Sequence, residues 1–270
     1  MRTFIRIASV VFVFSGFLWQ FNSKYLLASE PGEGLGRPDL AHPLIAESPT
    51  PDTELRFEYI TINKANADEQ IVNPEGEFAL SSWASIEVDL PYTFRNPNSG
   101  AVSTDHLANT EIALKLAHGL TEDILVGGGL EFGLPTGDDA KGIGSNNEIV
   151  ITPFLGFGAR FGGFEVITFL GFGVPFNEGD PEARAEKDLE LEYNLALAYW
   201  FVPRTRLILE FDGEAVVIGN DNEGTINVTV GGIGVPLRDW PLEIGGGVSV
   251  PLTSDKEFDS RLVVSALYQF

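Results

Sequence analysis

The residue types that carry out most enzyme chemistry are sparse in this chain. It contains three histidines, His42, His106 and His118, and no cysteine. The histidines fall in separate predicted segments. Ser103 and Asp105 are neighbours of His106 in one predicted loop, whereas a catalytic triad is built from groups that converge in space. We therefore expect no catalytic residues, and the lack of cysteine excludes a disulfide framework and a thiolate metal site.

Acidic loops are the remaining candidates for metal binding. Asp138 and Asp139 form one such loop, and residues Asn220 to Glu223 form another. Both offer the oxygen ligands that a hard cation prefers, but neither follows the spacing of a calcium-binding loop. Solvated loops are the simpler interpretation, and we expect no metal site and no cofactor.

Many other ionisable residues alternate with apolar ones. From Leu189 to Phe201, every odd position is leucine, tyrosine or phenylalanine, while positions 190 to 198 between them hold Glu190, Glu192, an asparagine and two alanines. Only a β-strand has this period of two. A membrane barrel turns the apolar face toward lipid and the charged face toward its lumen, whereas a soluble periplasmic barrel or sandwich buries the apolar face. This pattern alone leaves both arrangements open.

Composition narrows the class of protein. The 270 residues include 17 Lys+Arg and 39 Asp+Glu, a net charge of -22 that repels nucleic acid and anionic surfaces. We therefore expect no nucleic-acid partner. The chain has 30 glycines and 20 phenylalanines but only one methionine, which favours an all-β protein.

The N-terminal region reads as an export signal and a linker. Arg2 and Arg6 precede an apolar run from Ile7 to Leu18, which predicts a secretory signal peptide over residues 1–28, cut near Ala28. An uncleaved anchor is the alternative. Residues 29–52 are rich in proline and glycine, which predicts a flexible periplasmic lead, too short for a folded plug domain. The rest of the chain, 53–270, forms the predicted barrel.

Long and short connections alternate along the barrel region. The predicted long loops are 95–107, 135–147, 176–188, 217–224 and 252–257, and the predicted short turns are 119–122, 162–163, 202–205 and 236–241. Bacterial outer-membrane barrels have long extracellular loops and short periplasmic turns, and with both termini periplasmic the strand number is even. Ten clear strands follow Ala84, one covers 54–63, and a weak one lies near 75–81. We therefore predict a transmembrane antiparallel up-and-down β-barrel of about twelve strands.

Aromatic residues and the C-terminus suggest an outer-membrane location. The tryptophans Trp83, Trp200 and Trp240 fall at or beside short turns, as expected for an aromatic belt at the membrane surface. The C-terminus resembles the signal by which outer-membrane barrels are handed to the barrel assembly machinery. Expected partners are therefore outer-membrane lipid and that machinery, in a Gram-negative bacterium. The residues of this signal are Leu262, Val264, Ala266, Tyr268 and Phe270.

Several stretches resemble a known family. Residues 129–138 (GLEFGLPTGD), 149–157 (IVITPFLGF), the Leu191 to Tyr199 strand, and 248–252 (VSVPL) with the final Tyr-x-Phe are similar to the outer-membrane transporter-like family named after the MetA pathway of phenol degradation. The resemblance covers about Leu55 to Phe270 and departs near Phe78 to Trp83. It implies uptake of aromatic compounds.

The charged face of the strands is the candidate functional surface. An Arg or Lys facing lipid at mid-membrane costs about 2 to 4 kcal/mol, so these groups are expected to line the lumen. Inward glycines, such as Gly156, Gly158 and Gly247, leave room there. We predict a passive, narrow, porin-like channel for small solutes; the alternative is a closed structural barrel with a salt-bridged lumen whose extracellular loops bind a partner. The expected lumen-lining residues are Glu87, Asp89, Glu111, Lys115, Glu131, Arg160, Glu165, Glu190, Glu192, Arg206, Glu210, Asp212, Glu243 and Arg261.

Overall fold

The structure, a computed structural model, describes residues 38, 40–177, 189–202, 204–218, 224–236 and 240–270. The predicted signal peptide and its cleavage near Ala28 lie outside these residues, as do most of the predicted loop 176–188 and the acidic stretch Asn220 to Glu223. Among the described residues, no helix is both long and apolar enough to cross a bilayer.

Strands make up most of the described chain. A short 3-10 turn, Asp139–Lys141, interrupts them in one long loop. The strands are β1 (Glu54–Asn63), β2 (Ala67–Ser81), β3 (Ala84–Asp89), β4 (Tyr92–Pro97), β5 (Thr104–Leu107), β6 (Thr110–Gly119), β7 (Ile124–Leu134), β8 (Glu148–Phe161), β9 (Phe164–Asn177), β10 (Leu189–Val202), β11 (Thr205–Ile218), β12 (Asn227–Gly234), β13 (Leu242–Pro251) and β14 (Ser260–Gln269).

The sheet closes on itself. β1 pairs antiparallel with both β2 and β14, so that Glu54 lies opposite Glu77 on one side and Gln269 on the other. β3 and β4 follow one another along the same edge of β2, and β6 and β5 continue beside them, so each pair is one interrupted barrel strand. The fourteen segments therefore form twelve barrel strands, and the predicted fold is confirmed.

Proline accounts for the break between β3 and β4. Pro91 has no backbone N–H and cannot donate to the ladder. Its carbonyl still accepts a hydrogen bond from the Ala108 N–H at 2.7 Å, and the Leu90 N–H donates to the Pro74 carbonyl at 3.1 Å. Pairing thus continues on both sides of the interruption.

Two segments predicted as loops are strands. β2 begins at Ala67, well before the predicted start near 75, and pairs with β1 over ten positions. β4 and β5 extend the barrel wall into the predicted loop 95–107. Both segments are polar, so they lack the apolar alternation on which the prediction depended. Backbone pairing with neighbouring strands nevertheless holds them in the sheet.

Connections differ in length at the two ends of the barrel. At one end, called here the short-turn end, β8 and β9 meet at Gly162 and Gly163, and Gly162 has a φ of 63°, which suits glycine. β10 and β11 meet in a similarly tight turn containing Arg204, with a φ of 71°. The opposite, long-loop end carries most of the longer connections, although only residues 64–66 join β1 to β2 there. Both the start of β1 and the end of β14 lie at the short-turn end.

The two faces of the barrel have opposite chemistry. Leu155 and Val230 on the outside are 64% and 63% exposed, whereas Glu165 and Glu210 on the inside are 0% exposed. A soluble barrel or sandwich would show the reverse. An apolar outer surface around a charged interior is the arrangement of a transmembrane barrel.

Candidate functional site in the barrel lumen

The interior of the barrel contains part of the chain itself. Residues 40–51, called here the lumen segment, lie inside, with Leu40, Ala41 and Leu44 at most 2% exposed. They form one apolar cluster with wall residues that include Ile167 and Ile208. The prediction of a flexible lead is therefore wrong for these residues. Their prolines do prevent regular structure, but the wall fixes an irregular path.

Buried carboxylates hold the backbone of the lumen segment. Glu210 accepts hydrogen bonds from the N–H groups of Leu44, Ile45 and Ala46 at 2.6, 2.8 and 3.0 Å. Glu165 accepts one from the Ala41 N–H at 2.8 Å. An irregular buried chain needs partners for its N–H groups, and a buried carboxylate needs donors. Each therefore satisfies the other.

Glycines on the inner wall provide the space for this segment. A Cβ added at Gly156 would lie 2.7 Å from Pro49 Cβ, and one added at Gly247 would lie 2.8 Å from Leu44 Cδ1. Both distances are shorter than real Cβ contacts. The room that these glycines were expected to leave for passage is occupied by the lumen segment in this structure.

Lys115 is the centre of one ion-pair cluster. Its ammonium lies 3.1 Å from Glu47 of the lumen segment and 3.5 Å from Glu77, and it also pairs with Glu87. Burial opposes ionisation of Glu47, but Lys115 and then Arg56 outweigh it and lower the pKa of that carboxyl. The segment is thus anchored to the wall by charge as well as by backbone hydrogen bonds.

Other predicted lumen residues also pair across strands. Arg206 lies 3.2 Å from Glu243, Arg261 lies 2.7 Å from Asp212, and Arg160 lies 2.8 Å from Glu165. Sequence analysis missed a further cluster, in which Arg56 lies within 3.9 Å of the carboxylates of Glu54, Glu58 and Glu75. Part of the pattern is present in β1, where Glu54, Arg56 and Glu58 occupy even positions, and Glu75 is the cross-strand partner of Arg56 in β2.

The long-loop half of the lumen carries acids without matching cations. Asp89 and Glu111 are cross-strand neighbours, and the charge of Glu131 interacts with those of Glu111, Glu192 and Asp89. Within the described part of the chain, Glu111, Glu131 and Glu192 form no ion pair. We call Asp89, Glu111, Glu131 and Glu192 the acidic vestibule. Glu190, near the start of β10, is exposed.

The tryptophans divide into two groups. Trp83 and Trp240 are 59% and 58% exposed near the short-turn end, as expected for belt residues. Trp200 is different: its indole N–H donates to Glu165 at 3.3 Å, and its ring lies 4.2 Å from the Arg206 guanidinium. The prediction that Trp200 is a belt aromatic is wrong. Its even position in β10 puts it on the same face as Glu192.

The final strand presents its predicted signal on one face. Leu262, Val264, Tyr268 and Phe270 are exposed, and Ala266 is half-buried. The Phe270 N–H donates to the Thr53 carbonyl at 2.9 Å, where the last strand meets the first. Recognition of these residues by the assembly machinery stays a prediction.

One histidine belongs to the lumen segment. His42 Nε2 is 3.5 Å from the Asp52 carboxylate and 3.3 Å from that of Glu54. Burial opposes protonation, but Glu54, Asp52 and Glu243 outweigh it and raise the pKa of His42 well above its ordinary value. Sequence analysis missed this cluster because it placed His42 in a flexible lead. His106 and His118 lie elsewhere, in β5 and β6.

Comparisons with known proteins identify the fold. No family model and no curated protein matches the chain. Among solved structures, the COG4313 outer membrane channel from Pseudomonas putida F1 is 15% identical with a TM-score of 0.65, over 86% of this chain and 100% of that one. The NanC porin is 8% identical with a TM-score of 0.54, over 81% and 98%. The chain therefore has the fold of bacterial outer-membrane β-barrels.

Proposed function

We propose that this protein is a passive outer-membrane channel for small solutes, closed at its short-turn half by the lumen segment. The observation that carries the proposal is the way in which that segment is held. Among the described residues it belongs to no strand, and contacts with wall side chains keep it in place. Because the lumen segment is not paired with any strand of the sheet, it can leave the lumen without breaking the hydrogen bonds that close the barrel.

The energy of these contacts sets the expected resting state. A hydrogen bond to a charged group contributes about 1.5 to 3 kcal/mol, and four such bonds connect Glu165 and Glu210 to the segment. Each 1.4 kcal/mol is about a factor of ten in a population. The segment should therefore occupy the lumen most of the time, and the unmodified protein should conduct weakly.

The lining indicates which solutes would pass. In an open, hydrated lumen the carboxyl groups of the acidic vestibule would be ionised, and they would then attract cations and repel anions. The neighbours described as an outer membrane channel and a porin support a transport role. The finer proposal is that aromatic compounds pass through the channel, and it rests on the resemblance to the phenol-degradation family.

Conductance of a shortened protein tests the channel. Deleting residues 40–50 keeps all strands and removes most of the lumen segment. In planar bilayers the deleted form should give steps at least about ten times larger than the complete protein, with cation selectivity reduced by Glu131→Gln. A correctly folded deletion that gives no steps would refute the channel.

The closed structural barrel is the second candidate. The observation that favours it is the occupied lumen, with its ion pairs around Lys115 and Arg56. Swelling of liposomes containing the deleted form separates the two functions. Swelling in small sugars or phenol-sized solutes supports the channel, whereas its absence together with intact barrel folding supports the closed barrel.

A further inference from the structure

The side chains of His42, Asp52 and Glu54 converge at the short-turn end of the lumen. His42 belongs to the lumen segment, Asp52 follows it, and Glu54 is the first residue of β1. One ligand atom from each lies within 4.8 Å of the other two, and among the described residues this is the one such group of three. His42 is 4% exposed and Glu54 is 3% exposed.

Two buried atoms in this cluster lack hydrogen-bond partners. Glu54 Oε2 accepts no hydrogen bond, and His42 Nδ1 takes part in none. A buried carboxylate oxygen without a donor is costly. His42 Nε2 lies 3.3 Å from this oxygen and compensates its charge only while the imidazole is protonated, so a metal ion bound between the two would take the place of that proton. The nearest cation on the wall, Arg56, approaches the other oxygen of Glu54, at 3.8 Å.

The geometry points to a site for a divalent first-row metal ion of the Zn²⁺ type, which would join the lumen segment to the barrel wall. Tetrahedral zinc with bonds of about 2.0 to 2.1 Å places its ligand atoms about 3.4 Å apart. His42 Nε2 lies 3.3 Å from Glu54 Oε2 and 3.5 Å from Asp52 Oδ2. These two separations match two edges of such a tetrahedron.

The donor set favours zinc over harder ions. One imidazole and two carboxylates suit Zn²⁺, whereas Mg²⁺ and Ca²⁺ prefer oxygen ligands alone. Gln269 Nε2 lies 3.5 Å from His42 Nε2, and rotation of its amide would present an oxygen there. Water or this oxygen can complete four ligands.

A carboxylate beyond the cluster can orient the histidine. Glu243 Oε2 lies 3.8 Å from His42 Nδ1, on the side of the ring opposite the proposed ion. Histidines that bind metals usually donate their second N–H to such a group. The present distance exceeds a hydrogen bond, and we expect it to shorten when the ion binds.

Zinc titration of the complete, folded protein tests this site independently of conductance. If the protein does not conduct in planar bilayers, the zinc result still stands. The protein carries a tag without histidine, is treated with EDTA, and is titrated with ZnCl₂ by calorimetry. We expect one Zn²⁺ per chain, unaffected by excess Mg²⁺. His42→Ala should weaken binding by at least about 100-fold, since the imidazole is a direct ligand.

Matched variants separate this site from other surfaces. His106→Ala and His118→Ala remove the other two histidines and should bind zinc as the unmodified protein does. Asp52→Asn and Glu54→Gln should each weaken binding and provide the test if His42→Ala does not fold. Failure of the unmodified protein to bind zinc, or equal binding by His42→Ala and His106→Ala, overturns the site.

Discussion

Lys115 is a single ammonium group among three carboxylates, those of Glu47, Glu77 and Glu87. Removing one partner from a buried charge cluster leaves uncompensated charge inside the protein, which costs about 3 to 5 kcal/mol. We therefore expect Lys115→Met to lower the free energy of unfolding by that amount, measured by urea titration in lipid vesicles.

Lys64 provides the control for this prediction. It also pairs with a carboxylate, Glu69, at 2.8 Å, but its side chain is 30% exposed. Ion pairs in contact with water contribute about 0 to 1 kcal/mol. Lys64→Met should therefore change stability little, and equal losses in the two variants would contradict the buried cluster around Lys115.

Glu210 holds the lumen segment through three hydrogen bonds. Its carboxylate accepts three N–H groups of the lumen segment, while glutamine has one acceptor oxygen and brings an NH₂ group toward the remaining donors. Glu210→Gln should raise the rate at which protease cuts the segment by at least about tenfold, because charged hydrogen bonds are lost. Glu192→Gln, which has no hydrogen bond to the segment, should leave this rate unchanged.

Alternation of apolar and polar residues predicted most strands and also the inward position of their charges. It failed for β2, whose first half has too few apolar residues to alternate. It could not predict the lumen segment at all. The partners of Ala41 and Leu44 lie 124 and 166 residues further along the chain, so no local pattern contains them.

This separation along the chain also limits what the sequence says about the predicted lumen-lining residues. The sequence indicates that Glu165, Glu210 and Lys115 face inward, because their strands alternate. It does not indicate that two of them bind backbone N–H groups of another segment. For Trp200 the local pattern was sufficient, because its even position in β10 places it on the same inner face as these residues.

Acid should loosen the lumen segment. The pKa of Glu47 is lowered in the folded protein, so its stabilising contribution is present above the unfolded pKa of about 4.3 and is lost as pH falls through the folded value. Lys115 and Arg56 face it as cations, and the other carboxyl groups close enough to interact with it are those of Glu58, Glu75, Glu87 and Asp89.

Protease accessibility measures this effect. Cleavage of the segment by an acid-active protease should increase below about pH 4, relative to pH 7. Glu47→Gln should already be cleaved faster at pH 7 and should respond less to acid. Identical pH responses of the two proteins would exclude Glu47 as the anchor.

At the scale of the whole molecule, the apolar outer surface must meet lipid. Leu155 lies near the middle of β8 and is 64% exposed. Arginine at the bilayer midplane costs about 2 to 4 kcal/mol, so Leu155→Arg should reduce the yield of folding into vesicles. Leu155→Ala should fold nearly normally. Unimpaired folding of Leu155→Arg would show that this face does not contact lipid.

On the proposed function, a barrel able to conduct is filled by its own lumen segment, and the single-channel conductance of Gly156→Val tests this blockage. Adding a side chain to the wall of an open channel narrows it. Here the valine would strike the rigid Pro49 ring, because even a Cβ would lie 2.7 Å from it. Gly173 is the control, since a Cβ there meets only wall residues, at 3.7 Å.

We predict that Gly156→Val displaces the segment and conducts several times more current than the unmodified protein, while Gly173→Val conducts no more than the unmodified protein. Equal or lower conductance of correctly folded Gly156→Val would show that the lumen segment does not block a conducting barrel.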